Sequence, residues 1–355
     1  MNLATFWFIL VAILFTGYFV LEGFDFGVGI LLSLLGRDET DRRVMINTIG
    51  PVWDGNEVWL LTAGGATFAA FPEWYAAMFS AFYLPLLIIL VALIFRGVAF
   101  EFRGKHDSPK WRQWWDAAIF GGSLVPAILW GVAFGNVLHG IKLNAAHAYV
   151  GNVFDLLNPY ALLGGLATLT LFLLNGAVFL ALKTDGDVRI GAHHIARWTG
   201  LLAVLAGGGF LAWTEASHRF SAGTGTGAAS IALAALAGVA LVVAVLANLA
   251  RREGVAFAAT ACGIACTTAT LFTALYHNVL PSSLAASYSL TTANAASTAK
   301  TLMLMTVVAC IFLPFVLLYQ GWTYWVFRKR IGGRPQENGG APASGSTPAS
   351  GGARP

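Results

Sequence analysis

The sequence predicts an all-α polytopic membrane protein with nine transmembrane helices, and three observations carry that prediction. Hydrophobic residues make up 57% of the chain and charged residues 11%, with a mean hydropathy of +0.70, whereas a soluble domain carries about 25% charged residues. Apolar runs long enough to cross a hydrocarbon core of roughly 30 Å, about 20 residues each as helix, recur along the chain. The basic residues fall almost entirely into alternate loops between those runs.

Taken in order, the runs cover residues 5–35, 50–72, 75–97, 116–139, 158–182, 196–216, 228–250, 255–277 and 301–327. The first basic residue is Arg37, and the apolar run before it is far longer than a signal-peptide core. The N-terminus is therefore expected to be the first transmembrane helix itself. That run contains Glu22 and Asp25, and its Gly23 and Gly27 form a small-xxx-small pair that admits a neighbouring helix closely. Its acids should face protein rather than lipid.

Charge tests the count. The loops after spans one, three, five and seven, with the adjoining helix ends, hold Arg37, Arg42 and Arg43; Arg96, Arg103, Lys105, Lys110 and Arg112; Lys183, Arg189 and Arg197; and Arg251 and Arg252. With Arg328, Lys329, Arg330, Arg334 and Arg354 after the last span, these are eighteen of the 21 basic residues. The other side receives Lys142, Arg219 and Lys300. A missed or invented helix would move every later loop to the opposite side, so the asymmetry favours nine spans, with the N-terminus outside and the C-terminus in the cytoplasm. The formal charge of +4 thus belongs to loops at one membrane face, and no nucleic-acid partner is implied. Residues 1–331 are expected to form the transmembrane domain. The remainder, 332–355, is nearly all Gly, Pro, Ala, Ser and Thr, too poor in apolar surface to fold, and reads as a disordered cytoplasmic tail.

The stretch that carries chemistry is Gly50-Pro51-Val52-Trp53-Asp54-Gly55-Asn56-Glu57-Val58-Trp59 at the head of span two. Asp54 and Glu57, three apart, share one face within the first two turns, where an unpaired carboxylate in a membrane is costly and usually functional. Rise per residue brings Asp25, Asp54, Glu57, Arg96 and Asp116 into the cytoplasmic half of the first four spans. Buried charges are paired or neutralised, so Arg96 should pair with one of these acids, and the remaining ones could be neutral carboxylic acids that pass protons. The bland alternatives stay open. Asp54 could merely complement a helix N-terminus, Arg96 could snorkel to headgroups, and Asp25, Arg96 and Asp116 could be a structural polar cluster. Tryptophans near span ends, among them Trp53, Trp59, Trp74, Trp213 and Trp322, read as interfacial anchors, although Trp53, beside Asp54, could instead pack on a lipid-like ligand.

Other signals are negative. Haem in a membrane bundle is held by His or Met inside helices, yet His106, His147, His193, His194 and His218 read as loop residues, and His139 and His277 as outer helix ends. Cys262, Cys266 and Cys310 have no metal or redox spacing and read as small core residues. The glycine run from Gly223 to Gly227 lacks the lysine of a phosphate-binding loop and reads as a turn. No metal or haem is expected to be ligated by this chain.

Gly23-Phe24-Asp25-Phe26-Gly27-Val28-Gly29, Arg42-Arg43 with Met45-Ile46-Asn47, Trp53 to Leu60 and Thr62 to Ala66 closely resemble subunit II of cytochrome bd-type quinol oxidase. Gly131 to Asn136 and Leu157-Asn158-Pro159 also look like that family. The resemblance covers residues of roughly 15 to 330 and is strongest in the first four spans. It implies two four-helix bundles plus a peripheral helix, with no haem in this subunit. It also implies a haem-bearing partner, subunit I, with b-type and d-type haem and the quinol-oxidising site. The pair would reduce dioxygen to water with cytoplasmic protons in the bacterial inner membrane. By the same resemblance Asp54 matches an acid on a proton path, while Asp25, Arg96 and Asp116 match a polar cluster associated with a bound quinone and stable haem incorporation. Glu57 stands where other members can have Gln. The expected partners are thus subunit I, membrane lipid and quinone, with room for a small accessory subunit. Two other readings of the same residues are a proton-coupled secondary transporter, which would call for broken helices around a midplane site, and a scaffold that keeps subunit I competent for haem.

Overall fold

The computed structural model describes residues 2–217 and 227–332; most of the expected tail and of the glycine run lies outside them, as does His218. Helix α1, Leu3–Leu35, starts at Asn2, whose side chain accepts the Thr5 N–H at 2.8 Å. Its 33 residues at 1.5 Å each span about 50 Å, well beyond one hydrocarbon core. Every residue from Glu22 to Leu32 is buried, so this half of α1 is enclosed on all sides rather than along one stripe. A Cβ at Gly27 would lie 2.1 Å from the Phe172 carbonyl oxygen, which is why glycine stands where a second helix crosses.

A short helix that hydropathy does not reveal follows. Helix α2, Glu39–Ile49, is capped by Asp38, which accepts the Asp41 N–H at 2.9 Å, and buries only Val44, Met45, Thr48 and Ile49. Helix α3, Trp53–Ala70, stops at Phe71 because Pro72 follows and the residue before proline disfavours helical geometry. The third expected span is broken into α4, Pro72–Ala81, and α5, Tyr83–Phe102. The break has a cause in Pro85, which has no N–H to offer the preceding turn.

The remaining helices are α6, Pro109–His139; α7, Pro159–Lys183; α8, Gly186–Ser217; α9, Gly227–Leu249; α10, Glu253–Leu275; and α11, Ala299–Val326. Proline opens α6 and α7 at the first turn, where a missing N–H costs nothing. Asn158 caps α7 by accepting the Ala161 N–H at 2.9 Å. A small antiparallel pair, β1 (Asn278–Leu280) and β2 (Leu290–Thr291), precedes α11.

Among the described residues eight helices are long and apolar enough to cross a membrane: α1, α5 with its extension to Lys105, α6, α7, α8, α9, α10 and α11. The second expected span, α3, is 18 residues long but falls outside this set because Asp54, Asn56 and Glu57 make its first turns polar. Helix α1 packs on α3, α6, α7 and α10, while α7 to α10 pack in sequence on one another. Helix α11 stands apart, with Leu302 its one buried residue.

Side-chain contacts sort the loops into two ends. At one, Arg37 pairs with Asp187, Arg189 with Glu253, and Arg330 with Asp185; the Lys183 ammonium donates to the Phe327 and Lys329 carbonyls there. At the other, Lys142 pairs with Asp155, Ser282 donates to the Leu143 carbonyl, and the Ser297 N–H donates to the Ala70 carbonyl. The arginine-rich loops share the first end.

Three sequence expectations are corrected here. His193 and His194 lie within α8, which begins ten residues before the expected span, and both ring nitrogens of buried His193 are engaged, by Asn248 and Glu253. Cys266 is buried, but Cys262 and Cys310 are exposed. Trp74, expected at an interface, is only 2% exposed.

Candidate functional site

The site assembles around one guanidinium. Arg96 on α5 is fully buried and its Nη1 donates to Glu22 Oε2 at 2.7 Å and to Glu57 Oε1 at 3.3 Å. Its guanidinium carbon sits 4.7 Å from the Phe26 ring centroid and 5.6 Å from that of Phe100, so two aromatic faces supply cation–π contacts where water does not reach. Gly122 of α6 makes the room: a Cβ there would be 2.6 Å from both the Ala92 carbonyl oxygen and Arg96 Cβ. Arg96 therefore does not snorkel. Its direct partners are Glu22, an acid outside the five grouped from sequence, and Glu57.

Asp25, one turn after Glu22 on α1, is also fully buried, and its Oδ2 accepts the Asn56 Nδ2–H at 2.7 Å. Asn56 Oδ1 in turn accepts the Tyr324 hydroxyl at 2.8 Å and the Gln320 Nε2–H at 3.3 Å. Gln320 Oε1 accepts the Trp59 indole N–H at 2.8 Å. A hydrogen-bonded line thus runs from α1 through α3 to α11.

Exposure is graded along the acids. Asp54 is exposed and accepts its neighbour's Gly55 N–H at 2.8 Å. The Glu57 side chain is 23% exposed and that of Glu22 is 0%. Asp54 stands at the rim of a cleft of about 210 Å³ between α1, α3 and α11, whose wall also includes Asn56, Trp59, Gln320 and Tyr324. Trp53 turns away from this cleft and packs on Phe100, ring centroids 5.1 Å apart, so it joins the Arg96 side of the site.

Asp116 is not beside Asp25 and Arg96. Its Oδ1 accepts Arg103 Nε at 2.5 Å and its Oδ2 accepts Arg42 Nη1 at 3.1 Å. Arg103 also makes a two-pronged contact with Glu39, 2.9 Å for each prong. This second network ties α2 to the end of α5 and the start of α6. The hydrogen bonds from Arg103 hold the Glu39 carboxyl below the ordinary glutamate range. The single polar cluster expected from sequence is therefore two, with Asp25 and Arg96 in one and Asp116 in the other.

Glu22, Asn56, Gln320 and Tyr324 were not singled out by sequence as partners of these acids. Asn56 lies inside the Asp54–Glu57 motif, and Gln320 and Tyr324 are four apart, hence on one face of their helix; that spacing was the available signal. Among the described residues no three His, Cys, Asp or Glu side chains come together to hold a metal ion.

The sequence profile for "cytochrome bd terminal oxidase subunit II" matches residues 3–327. A relative from Bacillus subtilis (strain 168), "cytochrome bd ubiquinol oxidase subunit 2", is 44% identical over 328 residues, covering 92% of this chain and 96% of the relative. The Escherichia coli (strain K12) "cytochrome bd-I ubiquinol oxidase subunit 2" is 38% identical over 356 residues, covering 92% and 94%. A chain from the structure of bd oxidase from Geobacillus thermodenitrificans shares the fold with a TM-score of 0.72 at 20% identity, covering 93% of this chain and 100% of that one.

Proposed function

The chain belongs to the cytochrome bd terminal oxidase subunit II family, and from that premise we propose that it is the haem-free subunit of a quinol:oxygen oxidoreductase of the bacterial inner membrane. In this reading it supports a haem-bearing subunit I and carries part of the proton supply for reduction of dioxygen to water. The observation that carries the proposal is the graded burial from exposed Asp54 through Glu57 to Glu22, the last two paired with a single buried arginine.

The chemistry follows from charge. Glu22, Asp25 and Glu57 surround one Arg96, and an uncompensated carboxylate in low dielectric is costly, so the cluster favours holding a proton among its acids. Asp54 takes a proton from water at the membrane face. Glu57, one turn on, receives it, and Arg96 holds the Glu57 and Glu22 carboxylates toward a common point. The haem, bound by the partner, would supply the oxygen chemistry. Helix α3 completes a nine-span arrangement, two four-helix groups with α11 peripheral, and the arginine-rich end faces the cytoplasm, which sets Asp54 at the side from which protons are drawn.

A bound quinone remains compatible with the Trp53, Phe100 and Arg96 side of the site, where aromatic faces meet a buried cation. The scaffold reading has its own support in the Asp116 network, which joins α2, the end of α5 and the start of α6. The test is Asp54→Asn in the assembled two-subunit oxidase. Oxygen consumption should fall by about tenfold, a barrier change of ~1.4 kcal/mol, with the haem spectrum unchanged. Undiminished turnover at normal haem content refutes the relay and leaves the scaffold.

A further inference from the structure

We infer that Asn56 is a positioning residue for Asp25, and that the last helix, through Gln320 and Tyr324, fixes which end of the Asn56 amide the aspartate meets. An indole N–H can only donate, so Gln320 Oε1, 2.8 Å from Trp59 Nε1, is fixed as the acceptor. The other end of that amide, Gln320 Nε2, must then donate, and it lies 3.3 Å from Asn56 Oδ1. A carbonyl oxygen only accepts, so the Tyr324 hydroxyl, 2.8 Å away, donates to Asn56 Oδ1 as well. With Oδ1 claimed by two donors, Asn56 presents Nδ2 to Asp25 Oδ2 at 2.7 Å.

The direction of the amide matters because its two ends do opposite things to a carboxyl group. The NH2 end can donate to either protonation state of Asp25, whereas the carbonyl end would repel the carboxylate and accept from the acid only. The groups around Asp25 do not set this orientation themselves: Glu22 on its own helix, Glu57 on α3 and Arg96 on α5 pair with one another, and Tyr324 on α11 points to Asn56. Helix α11 is otherwise almost unburied, so in a membrane, where apolar burial does not favour one neighbour over lipid, polar contacts are what hold its register here. The same contacts transmit that register to Asp25.

This inference rests on the proposed role of the acid cluster, but its test does not. The intact two-subunit complex is purified with Tyr324→Phe and Gln320→Leu together, and pH-difference infrared spectra are recorded. The Asp25 carboxyl bands are those lost on Asp25→Asn. They should shift in the double variant with haem content unchanged, and Trp59→Phe, which removes the N–H donor to Gln320 Oε1, should shift them in the same direction by less. Oxygen consumption should fall about two- to tenfold in the double variant, the range of one net hydrogen bond. Unmoved bands in the double variant overturn the inference. If the double variant does not assemble, unmoved bands in Trp59→Phe overturn it. Shifted bands with full oxygen consumption uphold the positioning and refute a proton role for Asp25.

Discussion

Removing the guanidinium of Arg96 tests the centre of the site. Arg96→Met keeps the aliphatic stem and removes the guanidinium that contacts Phe26 and Phe100. Glu22, 0% exposed, loses its 2.7 Å partner, and Glu57 loses its 3.3 Å contact. Deleting one member of a buried ion pair costs about 3–5 kcal/mol, because the other is left uncompensated. A further ~1–2 kcal/mol comes from the lost cation–π contacts in a desolvated setting. Replacing both partners is much cheaper, since the stranded charge is gone. Glu22→Gln with Arg96→Met should therefore recover most of the loss, giving a coupling energy of up to about 3 kcal/mol in a double-mutant cycle. The assay is the thermal inactivation midpoint of the purified complex, read with its haem absorbance. If the double variant is as unstable as Arg96→Met, the stranded carboxylate is not the cause, and the reasoning from burial fails.

Further outcomes follow from the same contacts. Asp116→Asn removes the charge that Arg103 and Arg42 share; it should loosen α2 by about 1.5–3 kcal/mol, the worth of charged hydrogen bonds, seen as faster hydrogen exchange across Glu39–Ile49 with α7 to α10 unchanged. Glu39 has its carboxyl held low by Arg103, so its stabilising contribution is full above the ordinary glutamate value of about 4.3 and is lost as pH falls through the lower folded value. Exchange in α2 should accordingly stay slow at pH 5 and quicken only in stronger acid, and Glu39→Gln should abolish that pH response. Gly27→Val sets a Cβ 2.1 Å from the Phe172 carbonyl oxygen; overpacking of this kind costs about 1–3 kcal/mol or more, and it should lower the yield of assembled complex, whereas Gly64→Ala, with nothing within 4 Å, should not.

Much of the architecture was legible because membrane spans depend on composition over long windows. The limits of α6, α7, α9, α10 and α11 each depart little from the apolar runs, apart from the amphipathic first turns of α6, which polar residues conceal. Where the pattern misled, the reason is local. Helix α8 starts with Gly186-Asp187-Val188-Arg189, a polar segment that folds because Glu253 and Asn248 engage His193, and no hydropathy window carries that contact. The broken third span depends on Pro85 at a position where the chain still turns helically on both sides.

At the site, sequence alone determined that a few acids and one arginine had to lie inside a bilayer, because so few charges occur in the apolar runs and each is costly there. It also determined, through motif resemblance, the family to which the chain belongs. It did not determine the pairing. Depth along a helix follows from residue number, but azimuth and partner depend on which helices touch, and that is a property of packing. Hence Asp116 is bound by Arg42 and by Arg103, which follows the end of α5 seven residues beyond Arg96, while Glu22 takes the place at Arg96. Asn56 is neutral and lies more than 260 positions from the neutral pair Gln320 and Tyr324; only the approach of α11 to α3 makes them one hydrogen-bonded unit.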